Sequence, residues 1–376
     1  MKKQLIVALG LAVIAAPAFA SKARLQALGE DTNGSFYIND NRNIFLNAAH
    51  VNNHKDFVTF ETGSETADSL DDSAVAPRPE GGVFFGNGNL VYGVQLGNES
   101  NTSNALRNFA GVSTEQNNVD LFVAGDAGVK WGANLTYGKV TESATVNSSD
   151  VMRTRLGVIA GDIEGFANIS LKNEAEQKGG NELEGKIGYQ VGGSYAMNAY
   201  KFFAEYRSIK GEDKTNNADA EVGIMRLGAG RTDKLNDKAS LFTKLEVSKT
   251  TLMADDAGAG ALSTDGEDEV TTNLPLIVGL EYDAASWLVL RASISQSIYS
   301  DVSQKDTSNT NLEDTTRVNA GASLKFGEMS IDGVIGNTTD NAVVPAGSAT
   351  DAGGAGTNGS LRTDNLMSRV SVSYKW

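Results

Sequence analysis

Cysteine is absent from this chain, histidine occurs only twice and proline five times. Beyond residue 20 no apolar run approaches the roughly 20 residues of a membrane-spanning helix; the longest clean one, Leu274 to Leu280, falls far short. Each absence excludes something. Without cysteine there is no disulfide framework and no thiolate chemistry, so stability rests on burial and backbone pairing. Helical membrane spans are excluded by length. His50 and His54 are the whole histidine complement, which leaves no imidazole base elsewhere and predicts a chain that is not an enzyme. Basic residues are dispersed rather than clustered, so nucleic-acid binding has no support. Glycine-rich stretches such as Gly228 to Gly230 lack the Lys-Ser/Thr of a phosphate-cradling loop, and no cofactor is expected.

What is present points to export and to β-structure. Lys2 and Lys3 precede an apolar run from Leu5 to Ala16, followed by Ala18-Phe19-Ala20, the pattern of a cleaved secretory signal over residues 1–20. The mature chain would begin at Ser21. Glycine is abundant, at 41 residues, and with many Asn, Ser and Thr it suits strands joined by numerous turns.

From residue 55 to the end, segments of about ten residues alternate apolar and polar side chains, the period of a strand with two unlike faces. Trp131, Ala133, Leu135 and Tyr137 share one face; Lys130, Gly132, Asn134 and Thr136 share the other. The same division separates Tyr200, Phe202 and Tyr206 from Lys201, Glu205 and Arg207, and Val370, Val372, Tyr374 and Trp376 from Arg369, Ser371, Ser373 and Lys375. A soluble sandwich also alternates. Here the polar face carries long charged side chains and glycines, as a wet lumen would, and aromatics gather near segment ends.

Connections alternate between short turns, such as 126–128 and 161–162, and longer polar loops, such as 98–117, 139–151 and 250–270. The reading is an all-β, transmembrane, antiparallel up-and-down β-barrel of 16 strands, with short periplasmic turns and long extracellular loops. Fourteen strands remain if the first two, near 55–62 and 81–87, fail. Other strands are expected near 152–160, 163–173, 183–195, 198–209 and 220–231. Sixteen strands leave room for a water-filled interior. The domains are then the signal peptide (1–20), an N-terminal periplasmic or hatch segment (21–54) and the barrel (55–376). The net charge of −15 arises mainly in the long loops, the most acidic being Asp255 to Glu269. Those carboxylates suit either a repelling surface or Ca²⁺ and lipopolysaccharide bridged by divalent cations.

Strand parity assigns the pore lining. The inward basic residues are Lys130, Arg153, Arg155, Lys186, Lys201, Arg207, Arg226, Lys244, Arg291, Arg317 and Lys325, joined by Lys172, Arg369 and Lys375. The inward acids are Glu164, Glu205, Glu246 and Glu281, together with Asp120, Glu184 and Asp332. In a pore such charges set ion preference, although many would pair across strands. The spacing of His50 and His54 would suit a metal on a helix, but no completing ligand is evident and no metal site is assigned. No catalytic residue is assigned either.

The C-terminal Val370, Val372, Tyr374, Trp376 pattern resembles the last strand by which the insertion machinery recognises outer-membrane proteins. Residues 21–54 break the hairpin pattern. Their stretch Arg24 to Gly29, followed by Asn43 to Ala48, resembles the amino-terminal hatch of long-chain fatty-acid-transporter-like barrels, with Ala48 where that family has proline. The mature chain as a whole is similar in style to the major outer-membrane proteins of predatory bdellovibrios. These resemblances imply a Gram-negative outer-membrane barrel, porin-like, touching outer-membrane lipid and lipopolysaccharide and the barrel-insertion machinery, with homo-oligomerisation left open.

The leading expectation is passive diffusion of small hydrophilic solutes and ions through an open lumen. One rival is a specific transporter of a hydrophobic ligand, with residues 21–54 as a hatch. The other is a structural or adhesive surface barrel whose loops bind partners.

Overall fold

The computed structural model describes residues 21–63, 79–254, 268–304, 310–311, 316–337 and 369–376. Residues 1–20, where a signal peptide is expected, most of the acidic 250–270 loop and the loops near 63–79 and 339–362 lie outside the described residues. The strands are β1 (Phe57–Gly63), β2 (Glu80–Asn87), β3 (Leu90–Leu96), β4 (Val119–Asp126), β5 (Lys130–Val140), β6 (Val146–Ala160), β7 (Ile163–Gln177), β8 (Glu182–Gly185) and β9 (Gly188–Met197). They continue as β10 (Tyr200–Asp213), β11 (Ala218–Asn236), β12 (Ala239–Ala254), β13 (Glu269–Ala285), β14 (Leu288–Gln304), β15 (Thr310–Asn311), β16 (Thr316–Phe326), β17 (Met329–Asn337) and β18 (Arg369–Lys375).

All join one antiparallel sheet, and β1 pairs with both β2 and β18, so the sheet closes on itself and leaves no free edge. β8 and β9 are the two parts of one interrupted strand, and β15 is a two-residue addition beside β14. The barrel is therefore a closed, 16-stranded antiparallel one, and both early strands belong to it.

Its burial is the inverse of a soluble protein's. Leu135, Leu156, Val158, Leu227 and Ile294 face outward and exposed, while Asp120, Asn134, Thr136, Ser323, Asp332 and Ser371 face inward and are buried. Trp131, Tyr195, Tyr200, Trp287, Phe326 and Trp376 stand exposed close to the short-turn end. An apolar band edged by aromatics is what lipid stabilises and water does not.

Two features differ from the sequence reading. Several strands run past their expected ends: β6 starts at Val146, β7 reaches Gln177, and β10 and β11 run to Asp213 and from Ala218. Both faces of a hairpin that projects beyond the apolar band are polar, so alternation fades there while backbone pairing continues. The register also slips by one residue between β8 and β9, since Gly185 opposes Gly211 whereas Tyr189 opposes Ser208. A second slip in β7 falls where Met152 opposes Lys172 and Arg153 opposes Ser170. Each bulge reverses which side chains face inward.

The interior is not open space. Residues 21–54 lie against the inner wall, almost all of them buried or half-buried. Helix α1 (Lys22–Ala27) starts at Ser21, whose hydroxyl accepts from the Arg24 amide at 3.0 Å. Two single turns follow, Asn41–Phe45 and Ala48–Asn53, capped by Asp40 and Asn47, whose side-chain oxygens accept from the Arg42 and Ala49 amides at 3.0 Å each. Such caps satisfy amides that a short turn leaves unpaired. Ile44, Phe45 and Val51 pack on Phe57, Phe84, Val91 and Phe122 of the wall, and Phe36 stacks on Phe203 at 4.5 Å.

A second element also enters the barrel. Helix α2 (Asn101–Phe109) lies in the 98–117 connection, buries Leu106 and Phe109 against Ala175, Leu183, Ile209 and Ala220, and is pinned by Arg107. The Arg107 guanidinium donates to Asn173 Oδ1 at 2.7 Å and to Ser149 Oγ at 2.9 Å. The inward connection is thus the second long one, 98–117, which the sequence presents only as a longer polar loop.

Candidate functional site

The charged inner face predicted from parity meets the N-terminal segment directly. Arg24 sits between Glu281 of β13, at 3.0 Å, and Asp40 of its own segment, at 3.1 Å. Lys22 and Arg42 reach Glu80 at 2.7 and 3.1 Å, and Arg42 lies 3.5 Å from Glu61. Lys244 pairs with Glu30 at 2.9 Å and sits over the Tyr37 ring. Nε2 of His50 lies 2.7 Å from Glu164, which also pairs with Lys201 and accepts from Ser194 at 2.6 Å. Lys130 donates to Asn53 at 2.7 Å, and Arg226 lies 3.8 Å from Asp31.

Other predicted residues pair within the wall. Arg291 bridges Glu281, at 2.5 Å, and Asp332, at 3.1 Å. Arg155 pairs with Asp120 at 2.8 Å and Arg207 with Glu205 at 3.3 Å, while Arg153 reaches inward to Glu115 of the 98–117 connection. Glu246 lies 3.4 Å from Lys244 and 3.7 Å from Arg226. Lys325 approaches Asp283 near the short turns, at 3.5 Å. Arg317 shares the inward register of Gly321 and Ser323 and is exposed.

Lys186 is a correction. It falls in the bulge between β8 and β9, and its ammonium pairs at 2.5 Å with Asp219, which is exposed between the buried Ala218 and Ala220 and so stands on the outer surface. The same bulges turn Lys172 and Glu184 outward, toward Asp150 and Lys214. Sequence reasoning in turn missed Glu61 and Glu80, the wall partners of Lys22 and Arg42. Glu61 shares the alternation of Phe57 and Thr59, which would have revealed it. Among the described residues no group of three His, Asp or Glu is placed to hold a metal ion.

Burial shapes the acidity of this segment. It pushes the Asp40 carboxyl up to about 6, against the pull of the Arg24 guanidinium. It pushes His54 down to about 3, with His50 adding to the effect. Burial would likewise raise Glu115, in the connection before β4, but the Arg153 and Arg107 guanidiniums hold it below the ordinary carboxylate range.

Between the N-terminal segment and the inward connection lies a cavity of about 370 Å³. The segment contributes Asp31, Asn33 and Phe45, the connection contributes residues 98–103 and Ala105, and the wall contributes Arg153, Arg155, Arg207 and Arg226 with Ile169, Val222 and Ile224. Its volume is that of a small-molecule site, and its lining is amphipathic, with four arginines among aliphatic side chains.

No family model matches the chain, and no curated protein does either. Solved structures similar to it include the anion-selective porin from Comamonas acidovorans, at 11% identity, covering 85% of this chain and 95% of that one, with a TM-score of 0.41. The CymD monoaromatic hydrocarbon channel is similar at 11% identity over 95% and 98% of the two chains, with a TM-score of 0.42. The toluene transporter TbuX of Ralstonia pickettii is similar at 12% identity over 97% and 100%, with a TM-score of 0.36.

Proposed function

We propose that the chain is an outer-membrane transport barrel in which residues 21–54 plug the lumen, so that passage is selective and gated rather than free diffusion. The apolar outer face and its aromatic rim suit a bilayer, and the signal-like residues 1–20 suit export to the envelope. One observation carries the plug reading: the cations Lys22, Arg24 and Arg42 of the segment each meet a wall carboxylate within 3.1 Å, and the segment's apolar side chains pack on β1 to β4, β7, β10 and β12. An open diffusion pore would leave the inner face wet, whereas Asp120, Thr136 and Ser371 are wholly buried.

The test is single-channel recording in a planar bilayer. Protein beginning at Ser21 is expected to conduct weakly or not at all, and protein lacking residues 22–54 is expected to give nanosiemens steps. Large, permanently open steps from the longer protein would restore the general-diffusion reading. Silence from both, with each shown to be folded by heat-modifiable gel migration, would favour a structural or adhesive surface barrel.

A further inference from the structure

The cavity behind the plug contains an unfinished recognition element. Arg153 is 7% exposed, and only its Nη1 is engaged, by Glu115. Its Nε and Nη2 are buried and have no partner in the protein. These two atoms form the side of a guanidinium that binds a carboxylate through two parallel hydrogen bonds. A buried donor pair left unmatched is costly, so such a fork is a place for an acceptor. Nε of Arg207, also lining the cavity, is likewise buried and unmatched.

We infer that this cavity binds a small monocarboxylate with an apolar body. The carboxylate engages Nε and Nη2 of Arg153, and the body lies against Phe45, Ile169 and Ile224. Single charge follows from the neighbours. All four guanidiniums already carry a carboxylate, Arg153 with Glu115, Arg155 with Asp120, Arg207 with Glu205 and Arg226 with Asp31, and Asp31 and Glu99 line the same space, so the ligand is held by the unmatched donors of Arg153 and not by a surplus of positive charge. A second negative charge would meet repulsion from these carboxylates with only Nε of Arg207 left to receive it. Asn168 Oδ1, unmatched as well, accepts from a hydroxyl if the ligand carries one. As the solute of a transport route, this ligand rests on the plug reading; as an occupant of the cavity, it does not.

Calorimetric titration of the folded protein in non-ionic detergent, with protein-free micelles as reference, separates the two. Benzoate is the probe, with benzamide as its neutral isostere and phenyl phosphate as a dianion. Benzoate is expected to bind about tenfold or more tighter than either, the value of a charged bidentate contact. Arg153→Lys keeps the Glu115 ion pair but removes the planar fork, and should weaken benzoate about tenfold while leaving gel migration unchanged. Ile224→Trp, which fills the apolar side, should abolish binding. Equal binding of benzamide, tighter binding of phenyl phosphate, no binding of benzoate, or indifference to Arg153→Lys would each overturn the assignment. Conductance of the protein lacking residues 22–54 is read separately, so a failure of the plug reading leaves a distinct record.

Discussion

At the scale of single residues, two glycines let the N-terminal segment touch the wall. A Cβ on Gly132 would lie 2.2 Å from the Ala48 carbonyl oxygen, and one on Gly157 would lie 1.7 Å from Asn47 Oδ1. Gly132→Val should therefore push the Asn47 to Ala49 turn off the wall at a cost of about 1–3 kcal/mol, typical of overpacking. The readout is protease nicking within residues 40–54, expected to rise while the barrel itself stays resistant. Gly165→Ala is the matched control, because its Cβ would find nothing nearer than 3.9 Å. Titration acts on the same segment in two directions. Asp40, raised from 3.8 to about 6, gives stability that is full below pH 3.8 and lost as pH rises through 6. His54, lowered from 6.5 to about 3, gives stability that is full above pH 6.5 and lost as pH falls toward 3. The two oppose each other between about pH 6 and 4, and His54 alone continues below that. Thermal unfolding followed from pH 7 to 3 should show an acid decline that His54→Gln reduces; an identical decline in the variant would remove His54 from the account.

At the scale of elements, strand number and the division into inner and outer faces were legible because alternation is a local signal that survives wherever lipid faces one side. The hairpin tips were not, since a strand wetted on both faces has no reason to alternate. Bulges were also silent: nothing in the run from Glu182 to Gly188 announces the extra residue that sends Lys186 to the outer surface. The inner charges fared unevenly for a related reason. Glu164, Lys244 and Glu281 follow from parity alone, but their partners His50, Glu30 and Arg24 lie more than a hundred residues away in a segment without periodicity. A resemblance in the Arg24 to Ala48 stretch, not the pattern of its residues, suggested a hatch. Helix α2 was read as part of a polar loop because it is short and mostly polar, and only Leu106 and Phe109, three residues apart on one buried face, with the guanidinium of Arg107, hold it to the wall.

At the scale of the whole molecule, the outer band decides where the protein is stable. Leu135 lies near the middle of β5, exposed on the outer face between Trp131 and Tyr137. Leu135→Arg should cost about 2–4 kcal/mol if that position meets the bilayer midplane. Denaturant-induced unfolding from lipid vesicles would read it, and a change of only a few tenths would place Leu135 outside the hydrocarbon. The attachment of the plug has its own consequence. Only residues 54–56 separate its last turn from β1, and at that rim the Trp376 amide donates to the Asp56 carbonyl at 3.1 Å, fixing the tether to the seam where β1 meets β18. On the proposed plug reading, a displaced segment would stay leashed to the barrel mouth at an effective concentration on the order of millimolar. Re-closure would then be unimolecular and independent of how many copies the membrane holds, making each barrel a valve that resets itself.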